Sequence, residues 1–212
     1  VTRVVVLASG QGSTLQALLD AFPRDRGAVG PVVAAVICNT PGAGALDRGR
    51  RAGVPTVLVD HRGHSREAFE VHLCRAIDAH RPDLICLAGF LRILSPEVSA
   101  RYAGRMLNTH PALLPAFGGR GMYGDRVHQA VLAAGAAISG CTIHLVDETP
   151  DGGPIVAQAA VPVLPDDTPE RLAARVQAEE RRLYPEVVRW FADGRLEVAG
   201  RRVAWRDGAG GP

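Results

Sequence analysis

Arg3-Val4-Val5-Val6-Leu7-Ala8-Ser9-Gly10-Gln11-Gly12-Ser13-Thr14-Leu15 is the stretch whose reading decides the fold. Arg3 to Ala8 is a continuous apolar run rich in β-branched residues, as expected of a parallel strand covered on both faces. Two glycines follow at once, and Leu15, Leu18 and Leu19 then carry helical spacing to about Ala21. A strand, a glycine turn and a helix in this order leave free N–H groups and the positive end of the helix dipole pointing into the turn. The turn is neither a dinucleotide fingerprint, because Leu15 stands where the third glycine belongs, nor a lysine-bearing phosphate loop. Two readings remain. Gly12, Ser13 and Thr14 hold a single phosphomonoester through their amides and hydroxyls, or the glycines only make a tight β-to-α turn.

Outward from this unit the alternation continues. Pro31 to Cys38, Pro55 to Val59 and Asp83 to Ala88 read as further strands. Helices are expected from about Gly44 to Ala52 and, capped by Ser65, to about His80. Arg66 lies in the first turn of the latter helix, where a cation opposes the dipole; it serves a negative ligand or is a solvated charge. After Ala88 the chain enters Gly89-Phe90-Leu91-Arg92-Ile93-Leu94, and Ser95-Pro96-Glu97 then opens a short helix. An apolar loop leaving a strand's carboxyl end either lines a pocket for a flat heteroaromatic ligand or packs against the core.

Met106-Leu107-Asn108-Thr109-His110-Pro111 reads as a buried strand halted by proline, with Asn108 and His110 on one face and Thr109 on the other. Both polar side chains then stand at the sheet's carboxyl edge, where open α/β sheets bind ligands. An amide and an imidazole there supply an oxyanion donor and a proton donor or acceptor, or they merely satisfy neighbouring backbone. Gly118 to Gly124 is a glycine-rich loop, and Val127 to Gly135 is expected to be helical. Strands at Ile138 to Val146 and Pro154 to Val163 flank an acidic, turn-rich loop, Asp147 to Gly153. Asp151 before two glycines is, on its own, a turn residue. Thr168-Pro169 caps a long helix through about Phe191, and Leu196 to Trp205 forms a hairpin turning at Gly200-Arg201. The fold class is α/β: a single doubly wound, mostly parallel sheet of Rossmann-like type, with antiparallel additions near the C-terminus.

Composition excludes some chemistry. All 24 basic residues are arginine, so a Schiff-base lysine is impossible. A net charge of +2 does not suggest bulk nucleic-acid binding. Cys38, Cys74, Cys86 and Cys141 are scattered and expected to be buried free thiols. His61-x-x-His64 has metal-ligand spacing, but nothing nearby in sequence completes a ligand set, so no metal is expected. No leader opens the chain and no apolar run approaches about 18 residues, so a cytoplasmic protein without membrane association is expected.

Four motifs together carry a resemblance. Ser9-Gly10-x-Gly12-Ser13, Ala88-Gly89-Phe90-Leu91-Arg92-Ile93-Leu94, Asn108-x-His110-Pro111-x-Leu113-Leu114-Pro115 and Asp151-Gly152-Gly153-Pro154-Ile155 stand in the order found in the folate-dependent formyltransferases. The chain most resembles the phosphoribosylglycinamide formyltransferase family. That resemblance implies transfer of the formyl group of 10-formyltetrahydrofolate to the amine of glycinamide ribonucleotide, in purine synthesis, with no metal. It implies one formyltransferase domain over 1–212, with a phosphate-binding half at 1–102, a catalytic and folate-binding half at 103–205 and a frayed tail at 206–212. Asn108, His110 and Asp151 match the family's catalytic trio. Gly12, Ser13 and Thr14 match its phosphate loop, although many members carry asparagine in place of Thr14. His144 matches a histidine near the acceptor, and Gln177, Ala178, Glu179 and Glu180 match a segment that holds the ribonucleotide. Arg66, Leu91, Arg92, Ile93, Leu94, Asn108, Asp147, Glu148, Thr149, Pro150 and Asp151 match folate-contacting positions. The loop Gly118 to Arg126 is longer and richer in glycine than in many members, which leaves its substrate contacts open.

The implied partners are glycinamide ribonucleotide and a reduced folate, with neither nucleic acid nor membrane, in a monomer or homodimer. In the implied chemistry Asn108 donates to the oxyanion, and Asp151 raises the pKa of His110 so that a charged imidazolium assists. A formyltetrahydrofolate hydrolase shares the trio but usually carries an additional N-terminal domain. A methionyl-tRNA formyltransferase needs a C-terminal RNA-binding domain. A non-enzymatic nucleotide-binding module would explain the glycine turn but leave the trio without a role.

Overall fold

The computed structural model of the chain describes residues 1–24 and 30–206. It divides into two compact units, Val1–Leu107 and Asn108–Pro212. In the first, β1 (Arg3–Ala8), α1 (Ser13–Ala21), β2 (Val32–Cys38), α2 (Gly44–Arg51), β3 (Thr56–Leu58), α3 (Arg66–Ala79), β4 (Leu84–Leu87) and α4 (Pro96–Arg101) follow in strict alternation. β5 (Met106–His110) carries the chain into the second unit, which continues with α5 (Asp125–Ala133), β6 (Ile138–Leu145), β7 (Ile155–Pro162), α6 (Pro169–Ala192), β8 (Leu196–Ala199) and β9 (Arg202–Trp205).

In the first unit the strand order is β3-β2-β1-β4, ending on β5, and in the second it is β5-β6-β7-β9-β8. β1 lies parallel to both β2 and β4, and β2 parallel to β3. The expected antiparallel additions are β6 with β7 and β8 with β9, while β9 joins β7 in parallel at Ile155 and Arg202. Elements lie within a residue or two of their sequence-based bounds. β3 is shorter than the run from Pro55 to Val59, and α5 starts at Asp125 because Gly124 already provides its turn.

Each expected helix cap forms. Ser65, Ser95 and Thr168 accept hydrogen bonds from the amides of Ala68, Val98 and Arg171 at 3.2, 3.3 and 3.3 Å. The central strands are buried throughout: Val4 to Ala8 on β1 and Leu84 to Cys86 on β4 are closed to solvent or nearly so. Tyr102 is fully buried, yet its hydroxyl finds Asp78 Oδ1 at 3.0 Å, which satisfies its one polar atom. The four cysteines are thiols outside any disulfide; Cys38, Cys86 and Cys141 are buried as expected but Cys74 is only half-buried. Burial pushes the Cys38 thiol to about 11 and that of Cys141 to about 12. No helix among the described residues is long and apolar enough to cross a membrane. Of the expected tail, Arg206 donates its amide to the Arg195 carbonyl at 2.9 Å, and 207–212 lie outside the described residues.

Close approach of backbones limits what the β6–β7 pair can carry. A Cβ at Gly140 would stand 2.0 Å from the Ala159 carbonyl oxygen and 2.7 Å from Leu113 Cδ2. Gly140→Ala therefore has to separate the strands or shift Leu113, and is expected to lower stability by about 1–3 kcal/mol. Urea unfolding followed by tryptophan fluorescence measures this, since Trp190 and Trp205 meet edge to face at 4.5 Å and report the docking of the C-terminal hairpin. An unchanged midpoint would contradict the packing account.

Candidate active site

β5 positions two of the residues expected from sequence to be catalytic, Asn108 and His110. Alternation sends Thr109 toward α6, where its hydroxyl donates to Glu180 Oε1 at 2.8 Å, and sends Asn108 and His110 to the other face. There they meet His144, from the end of β6, and Asp151, from the loop before β7. His110 Nδ1 lies 3.5 Å from Asp151 Oδ2, and His144 Nε2 lies 3.6 Å from Asp151 Oδ1. Asn108 Nδ2 lies 3.1 Å from His144 Nε2.

Hydrogen-bond partners set the tautomers. His110 Nε2 lies 2.8 Å from the Phe117 carbonyl, which can only accept, so Nε2 carries a proton and Nδ1 of the neutral ring is the basic nitrogen. His144 Nδ1 donates to its neighbour's carbonyl, that of Leu145, at 2.9 Å. In the neutral ring its Nε2 then accepts from Asn108, which leaves the second amide hydrogen of Asn108 available to a reacting oxygen. The fourth support comes from the Gly119 amide, which donates to Asp151 Oδ2 at 2.9 Å.

Burial and charge compete in this cluster. Burial alone would raise the Asp151 carboxyl, but the two protonatable rings beside it, His144 and His110, and the Gly119 amide hold it below its ordinary value. For His110, only 3% exposed, burial prevails. It depresses the imidazole below 6.5, although Asp151 and the Phe117 carbonyl pull upward; His144 adds to the depression. The expectation that Asp151 would leave His110 charged is therefore corrected: desolvation of a buried ring outweighs a carboxylate 3.5 Å away that a second imidazole shares.

The loop Gly118 to Arg126 turns out to build the site. Phe117 has φ 54° and Gly119 φ 92°, which turns the Phe117 carbonyl onto His110 and the Gly119 amide onto Asp151. A Cβ at Gly118 would stand 2.5 Å from Leu114 Cδ2. Thr142 secures the segment before it, donating to the Ala112 carbonyl at 2.6 Å while accepting from the Leu114 amide and Gln158 Nε2, both at 3.0 Å. Apart from Leu114, which lies in the Asn108 to Pro115 motif, these partners carry no residue-specific signal. The glycine run was the only available signal.

The other candidate residues divide. Asp151 itself has φ 55°, and its loop is built on an Asp147 side chain accepting from the Thr149 amide at 2.8 Å and a Gly152 amide donating to the Thr149 carbonyl at 2.9 Å. Glu148 and Thr149 are exposed and Pro150 is half-buried. On α6 only Glu180 turns inward; Gln177 and Ala178 face solvent, and Glu179 pairs with Arg182 at 2.9 Å. Burial pushes the Glu180 carboxyl upward, partly offset by Thr109.

In the first unit, Gly12 (φ 75°) starts α1, whose first turn no described side chain caps. Gly12, Ser13 and Thr14 thus present backbone donors, with Ser13 half-buried and Thr14 buried. Leu91 and Ile93 are 59% and 48% exposed, so core packing explains Phe90 and Leu94 but not these two. The Leu91 amide is tied to Ser9 Oγ at 2.9 Å. Arg92 is exposed, whereas Arg66 spans Glu70 Oε1 at 3.2 Å and the Ile93 carbonyl at 3.1 Å, so it secures this loop. His61 Nδ1 is taken up by the Asn39 carbonyl at 2.7 Å, and His64 rests edge-on against His72, so the two do not converge on one point.

Acid should weaken the fold through this region. His128 on α5 is buried, its Nδ1 has no hydrogen-bond partner among the described residues, and burial depresses its pKa, with Asp125 opposing and His110 reinforcing. For His110 and His128 alike, the unfolded chain takes up a proton first. The stability of keeping them neutral is complete above about 6.5 and is lost as pH falls from there through the depressed folded values. Melting temperature is expected to fall between pH 7 and pH 5, and His128→Gln to flatten that slope. An equal slope in the variant would count against the assignment.

Known proteins resemble this chain over most of its length. The formyl transferase family profile matches residues 2–188. Phosphoribosylglycinamide formyltransferase of Escherichia coli (strain K12) is 43% identical over 207 residues, covering 97% of this chain and 94% of that protein. The protein of the same name from Mycobacterium tuberculosis is 45% identical, with 94% and 89% covered. The crystal structure of glycinamide ribonucleotide transformylase 1 from Symbiobacterium toebii superposes with a TM-score of 0.89 at 43% identity, covering 97% and 94% of the two chains. The chain belongs to the formyl transferase family, and within it to the phosphoribosylglycinamide formyltransferases.

Proposed function

We propose that this enzyme transfers the formyl group of 10-formyltetrahydrofolate to the amine of glycinamide ribonucleotide, in the cytoplasm, as a step of de novo purine synthesis. The observation that carries the reading is the Asn108–His144–Asp151–His110 cluster, whose donors and acceptors suit acyl transfer without a covalent intermediate. The acceptor amine attacks the formyl carbon, a C–N bond forms, and the carbonyl electron pair moves onto oxygen. The free amide hydrogen of Asn108 stabilises that oxyanion. Collapse breaks the bond to N10 of the folate. The attacking nitrogen loses one proton and N10 gains one.

His110 is suited to that exchange. Its ring rests neutral, Nε2 is fixed by Phe117, and Nδ1 is basic. As negative charge builds on oxygen, the imidazolium form is favoured and Asp151 supports it from 3.5 Å. Gly12, Ser13 and Thr14 hold the acceptor's phosphate through backbone amides, and the exposed Leu91 and Ile93 suit one face of the pterin. Glu180, Gln177, Ala178, Glu179 and His144 serve the ribonucleotide. Arg66 supports the folate loop, and the Asp147 to Asp151 loop supplies further folate contacts. No metal enters the scheme.

The test supplies 10-formyltetrahydrofolate with and without glycinamide ribonucleotide and follows release of free folate. Release that depends on the acceptor is expected; release without it would identify a hydrolase, and none a binding module. Asn108→Ala should lower kcat by about 100- to 1000-fold. His110→Ala and Asp151→Ala should lower kcat severely while folate binding, read by fluorescence titration, stays close to that of the parent. Near-normal turnover in either would overturn the mechanism.

A further inference from the structure

The glycine turn does not hold its own shape. Between β1 and α1, carbonyls and amides alternate along Gly10-Gln11-Gly12. A turn that offers amides to an anion must have its carbonyls directed elsewhere, since a carbonyl facing the anion would repel it. The Gly12 carbonyl accepts from the Gln16 amide of α1 at 2.9 Å, and the other two are taken up by α2. The Gly10 oxygen accepts from the Ala45 amide at 3.1 Å, and the Gln11 oxygen accepts from Arg48 Nε at 2.8 Å. The same guanidinium reaches α1, donating from Nη1 to Gln16 Oε1 at 2.9 Å. Contact is close on the apolar side too, where a Cβ at Gly12 would stand 2.9 Å from Ala45 Cα and 3.4 Å from Arg48 Cδ. α2 is itself seated firmly, because a Cβ at Gly49 would stand 2.7 Å from Thr56 Cγ2 and 3.2 Å from Val36 Cγ2.

We propose that Arg48 is a positioning residue for phosphate recognition, its guanidinium fork holding the Gln11 carbonyl away from the anion and locking the turn to Gln16 of α1. The proposal rests on the reading of Gly12 to Thr14 as the acceptor's phosphate site. It assigns Arg48 a geometric role rather than that of a nearby charge. Lysine retains the charge but lacks the planar fork needed to engage two acceptors at fixed angles.

The test compares the parent enzyme with Arg48→Lys, Arg48→Ala and Gln16→Ala. It measures kcat, KM for glycinamide ribonucleotide, KM for the folate and competition by inorganic phosphate. Arg48→Lys and Arg48→Ala are both expected to raise the ribonucleotide KM about 10-fold or more, and to weaken phosphate competition in step. Kcat and the folate KM should stay within about twofold of the parent. Gln16→Ala keeps the bond to Gln11 and should produce a smaller rise. If Arg48→Lys matches the parent while Arg48→Ala does not, the role is charge and the proposal fails. It fails equally if neither variant changes the ribonucleotide KM, or if kcat and the folate KM deteriorate to the same degree. Should Arg48→Ala not fold, Arg48→Lys and Gln16→Ala still decide. If phosphate fails to compete with the ribonucleotide in the parent enzyme, it is the phosphate-site reading that falls, an outcome separable from all the others.

Discussion

A carboxylate withdrawn from water has to be satisfied from several directions, and in the second unit Asp151 imposes that demand on everything around it. Its Oδ2 accepts from the Gly119 amide at 2.9 Å, and two imidazoles, His110 and His144, stand beside it at 3.5 and 3.6 Å. Those partners are themselves held in place. The Phe117 carbonyl fixes one ring, the Leu145 carbonyl the other, and the Thr142 hydroxyl fixes the segment leading from β5 to Phe117. The left-handed backbone at Phe117, Gly119 and Asp151 is the local cost of turning these groups inward. The proposed catalytic trio is thus the visible part of a larger arrangement made mostly of backbone.

The same arrangement accounts for a site that is anionic without being acidic enough to charge its histidine at rest. Desolvation acts on Asp151 and His110 in opposite senses relative to pairing. The carboxylate, which accepts from the Gly119 amide beside two rings able to take a proton, keeps its charge, whereas the more deeply buried His110 ring remains neutral. A neutral imidazole beside an ionised carboxylate has a proton affinity that rises as soon as another negative charge forms nearby. That is the property required of a group that must take a proton and then return it.

Most of the fold was legible because it rests on patterns that side chains carry. The buried run at β1, the cap residues Ser65, Ser95 and Thr168, and the alternation on β5 all follow from residue type and spacing, and each appears where expected. Asn108 and His110 could be placed on one face by the same reasoning, whereas Asp151 read as a turn residue until the resemblance assigned it a role. It is in fact both, at φ 55° in its turn and at the centre of the cluster. What could not be read was supplied by main chain. The Phe117 carbonyl and Gly119 amide have no residue-specific signature, and a glycine-rich run announces freedom of conformation without saying which groups it will present. The charge state of His110 was misjudged for a related reason, since sequence names its partner and not its depth.

In the proposed scheme the two units meet negative charge in opposite ways, and the composition explains why. The chain contains no lysine, so no flexible ammonium is available for a phosphate. In the first unit α1 begins without a side-chain cap, and the donors are amides whose orientation is inherited from α2 through Ala45 and Arg48. In the second, the anion is part of the protein, and amide and imidazole groups are gathered to it. In both cases the binding groups are short and fixed before any substrate arrives, so little conformational entropy remains to be lost on binding. Rigidity of this kind is obtained from glycines pressed against neighbouring backbone, as at Gly12, Gly140 and Gly153, where a single methyl group would displace the structure. The constraint that makes these positions intolerant of substitution is therefore the same one that prepares the donors for catalysis.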